Sequence, residues 1–244
     1  MSSNQLQPLP DVSMDSPTDT HGLNSLLLAG SKQRSEVAVE SWRYEYAKRA
    51  FDFLGALILT ILFFVPGLVI AILVACTSPG PVFYREERIG RYQVPFRIWK
   101  FRSMCNNAAQ NAYINKSNRG TGSSEWRMKK HLSDPRITRV GAILRSWSLD
   151  EIPQLLNVLS GDMSLVGPRP IVKSEEPLYG DYLHYYHAVV PGMSGLWQVS
   201  GRSSIGYDER AKFDMRYVQT WSLLSDIKIL LMTLPAVLGK VGAI

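Results

Sequence analysis

The sequence predicts an α+β fold: one N-terminal re-entrant membrane helix, then a small cytoplasmic domain with amphipathic interfacial helices. Three observations carry this expectation. The 24 residues Phe53–Cys76 hold no charge and contain Pro66-Gly67 just past their middle. Phe83, Arg97, Trp99, Phe101 and their neighbours alternate as the short strands of a small sheet do. Apolar residues then recur at helical spacing over Ile152–Leu159, and a further apolar stretch covers Trp221–Leu238. The boundaries that follow are a disordered tail at 1–42, a membrane element at 43–80 and a folded domain at 81–244.

Composition limits the function classes. The 244 residues include 27 Lys+Arg against 21 Asp+Glu, a formal charge of +6, with a pI near 9.3 and a mean hydropathy of −0.06. An apolar share of 45% with 20% charged residues is too hydrophobic for an intrinsically disordered chain. Two cysteines, Cys76 and Cys105, exclude a disulfide framework and a cysteine-rich zinc or iron–sulfur site. The near-neutral hydropathy excludes a polytopic membrane protein but leaves room for one membrane segment. The charge is uneven: residues 1–40 balance to −3 and residues 85–145 to +10. Such a basic block implies phosphates, nucleic acid or an anionic membrane surface as partner, or else a solvated basic face.

Each element has its own justification. Residues 1–40 are rich in Ser, Asp, Gln and Pro without a sustained period, so they read as a tail. No basic region precedes the short apolar patch Leu26–Ala29, which argues against a signal peptide and for a retained N-terminus. Phe53–Cys76 exceeds the ~20 apolar residues a spanning helix needs. Pro66 removes a backbone donor there and clashes with the preceding turn. Both flanks are basic, with Arg43, Lys48 and Arg49 before the stretch and Arg85, Arg88 and Arg91 after it. A helix that bends and returns keeps both flanks on the cytoplasmic face; a straight span keeps only one there. Residues 106–132 are polar and Gly/Ser-rich, as in a loop. Asp226 and Lys228 interrupt the last apolar stretch, as in an amphipathic helix lying on a membrane or on a core.

The residues with chemical potential cluster after 145. Ser148-Leu149-Asp150-Glu151 matches a capping box, followed by an apolar face of Ile152, Leu155, Leu156 and Leu159 and by Gly161 at a C-terminal position. One reading makes Glu151 a cap and Asp150 a complement to the helix dipole. The other starts from the cations around them: Arg136, Arg139 and Arg145 before, Arg169 after, with Asp162 and the turn Gly167-Pro168-Arg169-Pro170 close by. Carboxylates for Mg²⁺ and arginines for phosphate oxygens are the parts phosphoryl transfer needs. An Asp can also attack phosphorus directly.

These residues carry a resemblance. KRAFDFLGALILTILFFVPG, KFRSM, RSWSLDEIPQLLNVLSGDMSLVGPRP, PGMSGLWQVSGR and DIKILLMTLPAVL closely resemble the bacterial sugar transferases, the monotopic phosphoglycosyl transferases, over about residues 45–240. The resemblance implies that Asp150 is a nucleophile toward the β-phosphate of a UDP-sugar, releasing the nucleoside monophosphate. A polyprenyl phosphate, undecaprenyl phosphate in bacteria, then takes the sugar phosphate. It implies that Glu151 assists through Mg²⁺ (with Mn²⁺ able to substitute) and proton handling, and that Arg169 holds phosphate. Arg145 is a further phosphate-binding candidate, Asp162 and Pro168 are supporting residues, and Pro66 is the membrane bend. The family often bends at Ser-Pro; Val65-Pro66 stands there in this chain. The form implied is short and exopolysaccharide-initiating. It would sit at the bacterial inner membrane with its catalytic domain cytoplasmic, and transfer galactose or glucose phosphate. Membrane lipid and other polysaccharide-assembly proteins are expected partners; nucleic acid is not.

Other features weigh less. His184 and His187 lack a third ligand at metal spacing. The loop from Pro191-Gly192-Met193-Ser194-Gly195 to Arg202 lacks Walker or dinucleotide spacing, and the resemblance suggests that it shapes the donor pocket. Trp197 and Trp221 read as packing or interfacial anchors rather than base-stacking residues. Two rivals stay open: a membrane-anchored polyanion-binding protein, and a non-enzymatic subunit of a polysaccharide assembly. Acids among the arginines argue against the first, and the intact Asp150-Glu151 pair against the second.

Overall fold

The uncharged stretch bends. In the computed structural model, which describes residues 44–105, 136–200 and 206–238, a π-helical turn (Tyr44–Lys48) runs into α1 (Arg49–Leu62). After one residue, α2 (Phe64–Thr77) leaves at 61° to it. The expected tail at 1–42, the loop at 106–132 and Arg202 lie outside the described residues. The break sits at Phe63, with φ −91° and ψ 7°, not at Pro66 as expected. The reason is geometric: the N–H missing from Pro66 would have bonded the Leu62 carbonyl, and the ring pushes that carbonyl aside. Pro66 itself lies in the first turn of α2, where a proline is tolerated. Among the described residues no single helix is long and apolar enough to cross a membrane, but the bent pair passes that test together.

The alternating residues form the expected hairpin. β1 (Phe83–Ile89) and β2 (Pro95–Phe101) pair antiparallel, with Phe83 opposite Phe101 and Ile89 opposite Pro95. Strand alternation puts Arg88, Ile98 and Lys100 on one face, and Arg85 and Trp99 on the other. α3 (Arg139–Ser146) follows, N-capped by the Thr138 hydroxyl, which accepts from the Gly141 N–H at 2.8 Å. Next come a 3₁₀ helix (Leu149–Gln154), α4 (Leu155–Ser160) and β3 (Ser164–Val166). A 3₁₀ segment (Lys173–Tyr182) and α5 (Leu183–Ala188) lead to β4 (Gly192–Ser194), which pairs parallel with β3. Then come α6 (Leu196–Ser200), α7 (Tyr207–Gln219) and α8 (Leu223–Leu238). The main core joins these layers through Ala56, Ile98, Val158, Leu165, Val166, Tyr217 and Ile229.

Both arms of the bent pair are tied to this body. At the start of α1, the Arg49 guanidinium donates to the carbonyls of Val158 and Leu159, at 2.5 and 2.7 Å, at the C-terminal end of α4 where the helix dipole favours a cation. Buried Lys48 lies 3.0 Å from both Asp52 and Asp226, and Asp52 also accepts the Leu165 N–H. At the end of α2, buried Arg102 donates to the Val74 carbonyl at 3.2 Å and to the Ser78 hydroxyl at 2.8 Å. The same guanidinium bonds the Pro81 carbonyl. α8 is amphipathic in an inverted sense. Asp226, one of the two charges that interrupt its apolar stretch, is fully buried among Lys48, Tyr217 and Trp221, whereas Leu224, Ile227, Leu231 and Leu234 are exposed.

Candidate active site

The Asp-Glu segment does not open as a capped α-helix. Ser148 takes the left-handed conformation (φ 55°, ψ 21°), its side chain caps nothing, and Leu149–Gln154 winds as 3₁₀. Pro153 accounts for this, because an α-helix starting at Leu149 would set the proline ring against the Leu149 carbonyl. Regular α geometry begins only at Leu155 and ends at Gly161, whose φ of 96° is the expected left-handed stop. Leu155 is buried, Ile152 and Leu159 are half-buried, and Leu156 is exposed rather than on the apolar face.

Asn157 sets this segment against the hairpin. It is buried and behaves like one more strand residue, accepting from the Trp99 N–H and donating to the Arg97 carbonyl, both at 2.9 Å. That pairing brings Lys100 onto Glu151, with Nζ 2.8 Å from Oε1. On the other side, the Arg169 guanidinium lies 3.7 Å from the same oxygen. Half-buried Asp150 precedes Glu151 on the same 3₁₀ helix, where successive side chains diverge by about a third of a turn. Arg88 closes the cleft: it donates to the Pro170 carbonyl at 3.2 Å, pairs with Glu86 at 2.5 Å and lies 3.9 Å from Glu175. Its Nε–H is buried without a hydrogen-bond partner among the described residues, a donor left for an acceptor.

The Gly167–Pro170 turn is held by backbone contact. Buried Pro168 accepts the Gly192 N–H at 2.7 Å, and a Cβ on Gly192 would stand 2.1 Å from the Gly167 nitrogen. Only glycine permits that approach. Gly192 and Met193 therefore line the same cleft as Arg88, Lys100, Glu151 and Arg169.

The structure thus brings Glu151 and Arg169 together, with Asp150 next to Glu151 on the 3₁₀ helix and Pro168 buried next to Arg169 in the turn. Arg145 is half-buried in the last turn of α3; its carbonyl accepts the Ser148 N–H at 3.2 Å, and its side chain makes no ion pair among the described residues. Asp162 lies elsewhere. It accepts from Ser160 at 2.7 Å beyond Gly161, roughly 20 Å of helix from Asp150. Lys100 and Arg88 were not singled out from sequence as site residues, although their alternation with Ile98 and Phe96 places them on one strand face. Among the described residues no group of three or more His, Cys, Asp or Glu side chains could hold a metal. Two carboxylates suit a cation that completes its shell with substrate phosphates and water, not a caged structural metal.

A family model, that of the bacterial sugar transferases, matches residues 43–240. The chain belongs to this family. Among relatives of this sugar transferase is a UDP-galactose-lipid carrier transferase of Erwinia amylovora, 45% identical over 200 residues. Exopolysaccharide production protein ExoY of Rhizobium meliloti is 44% identical over 192 residues. A UDP-glucose:undecaprenyl-phosphate glucose-1-phosphate transferase of Caulobacter vibrioides is 40% identical over 201 residues. The matches cover 81%, 78% and 78% of this chain, and 42%, 85% and 69% of the relatives. The chain thus spans under half of the Erwinia protein and most of ExoY.

Proposed function

We propose that this sugar transferase moves a hexose-1-phosphate, galactose or glucose, from a UDP-sugar to polyprenyl phosphate and so starts exopolysaccharide assembly. The observation that carries the proposal is the cleft in which Glu151 sits between Lys100 and Arg169, with Asp150 the preceding residue of the chain. Cations surrounding a placed carboxylate suit a diphosphate that must be both held and attacked. A bare polyanion-binding surface would gain nothing from Glu151, so the binding-protein alternative is disfavoured. The relatives' names support the hexose and the lipid acceptor.

In this reading an Asp150 carboxylate oxygen attacks the β-phosphorus. The bond from that phosphorus to the bridging oxygen breaks, and UMP leaves with the electron pair. The acyl phosphate on Asp150 is then attacked by a polyprenyl phosphate oxygen, which takes the phospho-sugar and restores the carboxylate. Lys100 and Arg169 orient Glu151, and Arg169 holds a phosphate oxygen. Mg²⁺, held by Asp150 and by Glu151 in competition with Lys100 and Arg169, would neutralise diphosphate charge when bound.

Topology follows the same logic. Both arms of the bent helix pair dock on one body, through Arg49 and Lys48 at one end and Arg102 at the other. With the body cytoplasmic, where UDP-sugars are, the pair enters and returns on that face. Each 14-residue arm is about 21 Å long. Laid symmetrically, a 61° bend puts the apex roughly 10 Å deep, within one leaflet. The exposed residues Ile58, Ile61, Leu62, Phe64, Val65 and Leu68 cover that apex. The outward leucines of α8 would rest at the interface.

The test is incubation of the purified chain with undecaprenyl phosphate and a panel of UDP-sugars. Conversion of UDP-galactose or UDP-glucose to a lipid-soluble phospho-sugar is expected. Inactivity with every donor would refute the reading.

A further inference from the structure

Gln154 closes the 3₁₀ helix that carries Asp150 and Glu151. Residues three apart on such a helix eclipse, so Gln154 lies on the Glu151 face, about 6 Å farther along the axis. The neighbouring strand fixes the direction. Lys100 meets Glu151, whereas the Arg97 carbonyl and the Trp99 N–H meet Asn157. The helix and β2 therefore run past each other in opposite senses. Gln154, between Glu151 and Asn157, lines the cleft together with Ile98 and Met193.

Gln154 is only 4% exposed, and no hydrogen bond engages its side-chain amide among the described residues. Burying an amide is unfavourable while its hydrogen bonds are unmade. The local fold does not call for one here, because Asn157, three residues on, is the amide that docks on β2. Among the described residues that line the cleft, Gln154 alone carries a neutral polar side chain; Arg88, Lys100, Glu151 and Arg169 are all charged. Charged groups suit phosphates and a cation. An amide, with one acceptor and two donors, suits a hydroxyl, which both gives and takes a hydrogen bond.

We propose that Gln154 is a sugar-binding residue, its amide hydrogen-bonding a ring hydroxyl of the hexose on the donor. This rests on the transfer reading above. The hexose is joined through one oxygen to the phosphorus under attack, so its hydroxyls lie a few bonds from the Asp150–Glu151 end of the helix. One turn of 3₁₀ helix, from Glu151 to Gln154, covers that reach. The nucleoside is joined through the other phosphate and leads away from it. Ile98 and Met193, beside Gln154, offer an apolar surface for the C–H face of the ring.

The test is calorimetric binding of UDP-galactose, UDP-glucose and UDP to the full chain in detergent. It compares Gln154 with Gln154→Leu and Gln154→Asn, all in an Asp150→Asn background so that no donor is consumed. Unfolding temperatures are measured alongside. Gln154→Leu should weaken the preferred UDP-hexose by about tenfold or more, as a hydroxyl left without its buried partner does. Affinity for UDP, which has no sugar beyond its phosphates, should stay within about twofold. The leucine variant should melt no lower than its parent, since it loses an amide that bonds nothing in the free protein. Among monodeoxy UDP-hexoses, the one lacking the contacted hydroxyl should bind weakly to both and lose nothing further in Gln154→Leu. Equal losses for UDP and UDP-hexose overturn the inference, and so does unchanged affinity for both. A lowered unfolding temperature with unchanged selectivity for UDP-hexose over UDP overturns it too, leaving Gln154 a structural residue. If Gln154→Leu does not fold, Gln154→Asn, with its amide drawn back by one methylene, carries the same comparison. A parent protein that binds neither UDP nor UDP-hexose would instead overturn the donor reading itself.

Discussion

Asp214 offers a prediction that needs no substrate. It is completely buried on α7, and the Tyr179 hydroxyl donates to its Oδ2 at 2.9 Å. Burial pushes its carboxyl from an ordinary 3.8 up to about 8, against the opposing pull of the Tyr179 hydrogen bond and the Arg210 charge. The folded protein therefore holds one more proton here than the unfolded chain does between those two values. The stabilisation is fully present below the unfolded value and is lost as pH rises through about 8. Each pH unit in that window removes about 1.4 kcal/mol, so going from about pH 5.5 to about pH 7.5 removes about 3 kcal/mol. For a chain of this size that is about 6–12 °C in unfolding temperature. Asp226 is also raised by burial, with Lys48 opposing, and adds a slope of the same sign that persists when Asp214 is replaced. Thermal unfolding in detergent across this range should show wild type losing stability with rising pH and Asp214→Asn losing clearly less. Parallel curves for the two proteins would refute the reasoning, because Asp214 would then titrate alike folded and unfolded.

Further outcomes follow from the same contacts. Gly192→Ala places a methyl 2.1 Å from the Gly167 nitrogen, so it should cost more than ~3 kcal/mol or prevent folding, read as loss of soluble, detergent-stable protein. Pro66→Leu restores the donor to the Leu62 carbonyl and should straighten the helix pair. A cysteine at Ser31, with Cys76 and Cys105 removed, should resist an impermeant thiol reagent in intact cells but react in the Pro66→Leu background. Chelation should stop sugar-phosphate transfer reversibly, with Mg²⁺ or Mn²⁺ restoring it and no change in unfolding temperature; full activity after exhaustive chelation would leave the arginines and Lys100 as the only phosphate neutralisers.

The parts legible in the sequence were those governed by local rules. Phe53–Cys76 announced itself by length and lack of charge, and the β1–β2 hairpin by alternation. Gly161 announced itself as a left-handed helix stop, here at φ 96°. Local rules also misled. Ser148 and Glu151 had the spacing of a capping box, but Pro153 forbids α geometry at that distance and turns the segment into 3₁₀ helix. Pro66 bends the chain at Phe63, because a proline acts on the carbonyl four residues earlier. What could not be read was pairing across the chain. Lys100 meets Glu151 because Asn157 docks on the edge of β2, and Asp226 turns inward because Lys48 waits there, 178 residues earlier in the sequence.

The most direct test of the central claim is intact-protein mass spectrometry after mixing the chain with a UDP-hexose and Mg²⁺, without lipid acceptor. A phospho-hexose adduct is predicted, located on Asp150 by peptide mapping and discharged when undecaprenyl phosphate is added. It should be missing from Asp150→Asn protein that melts like wild type. An Asp150→Asn enzyme that still turns over, or an adduct mapped to another residue, would contradict the account.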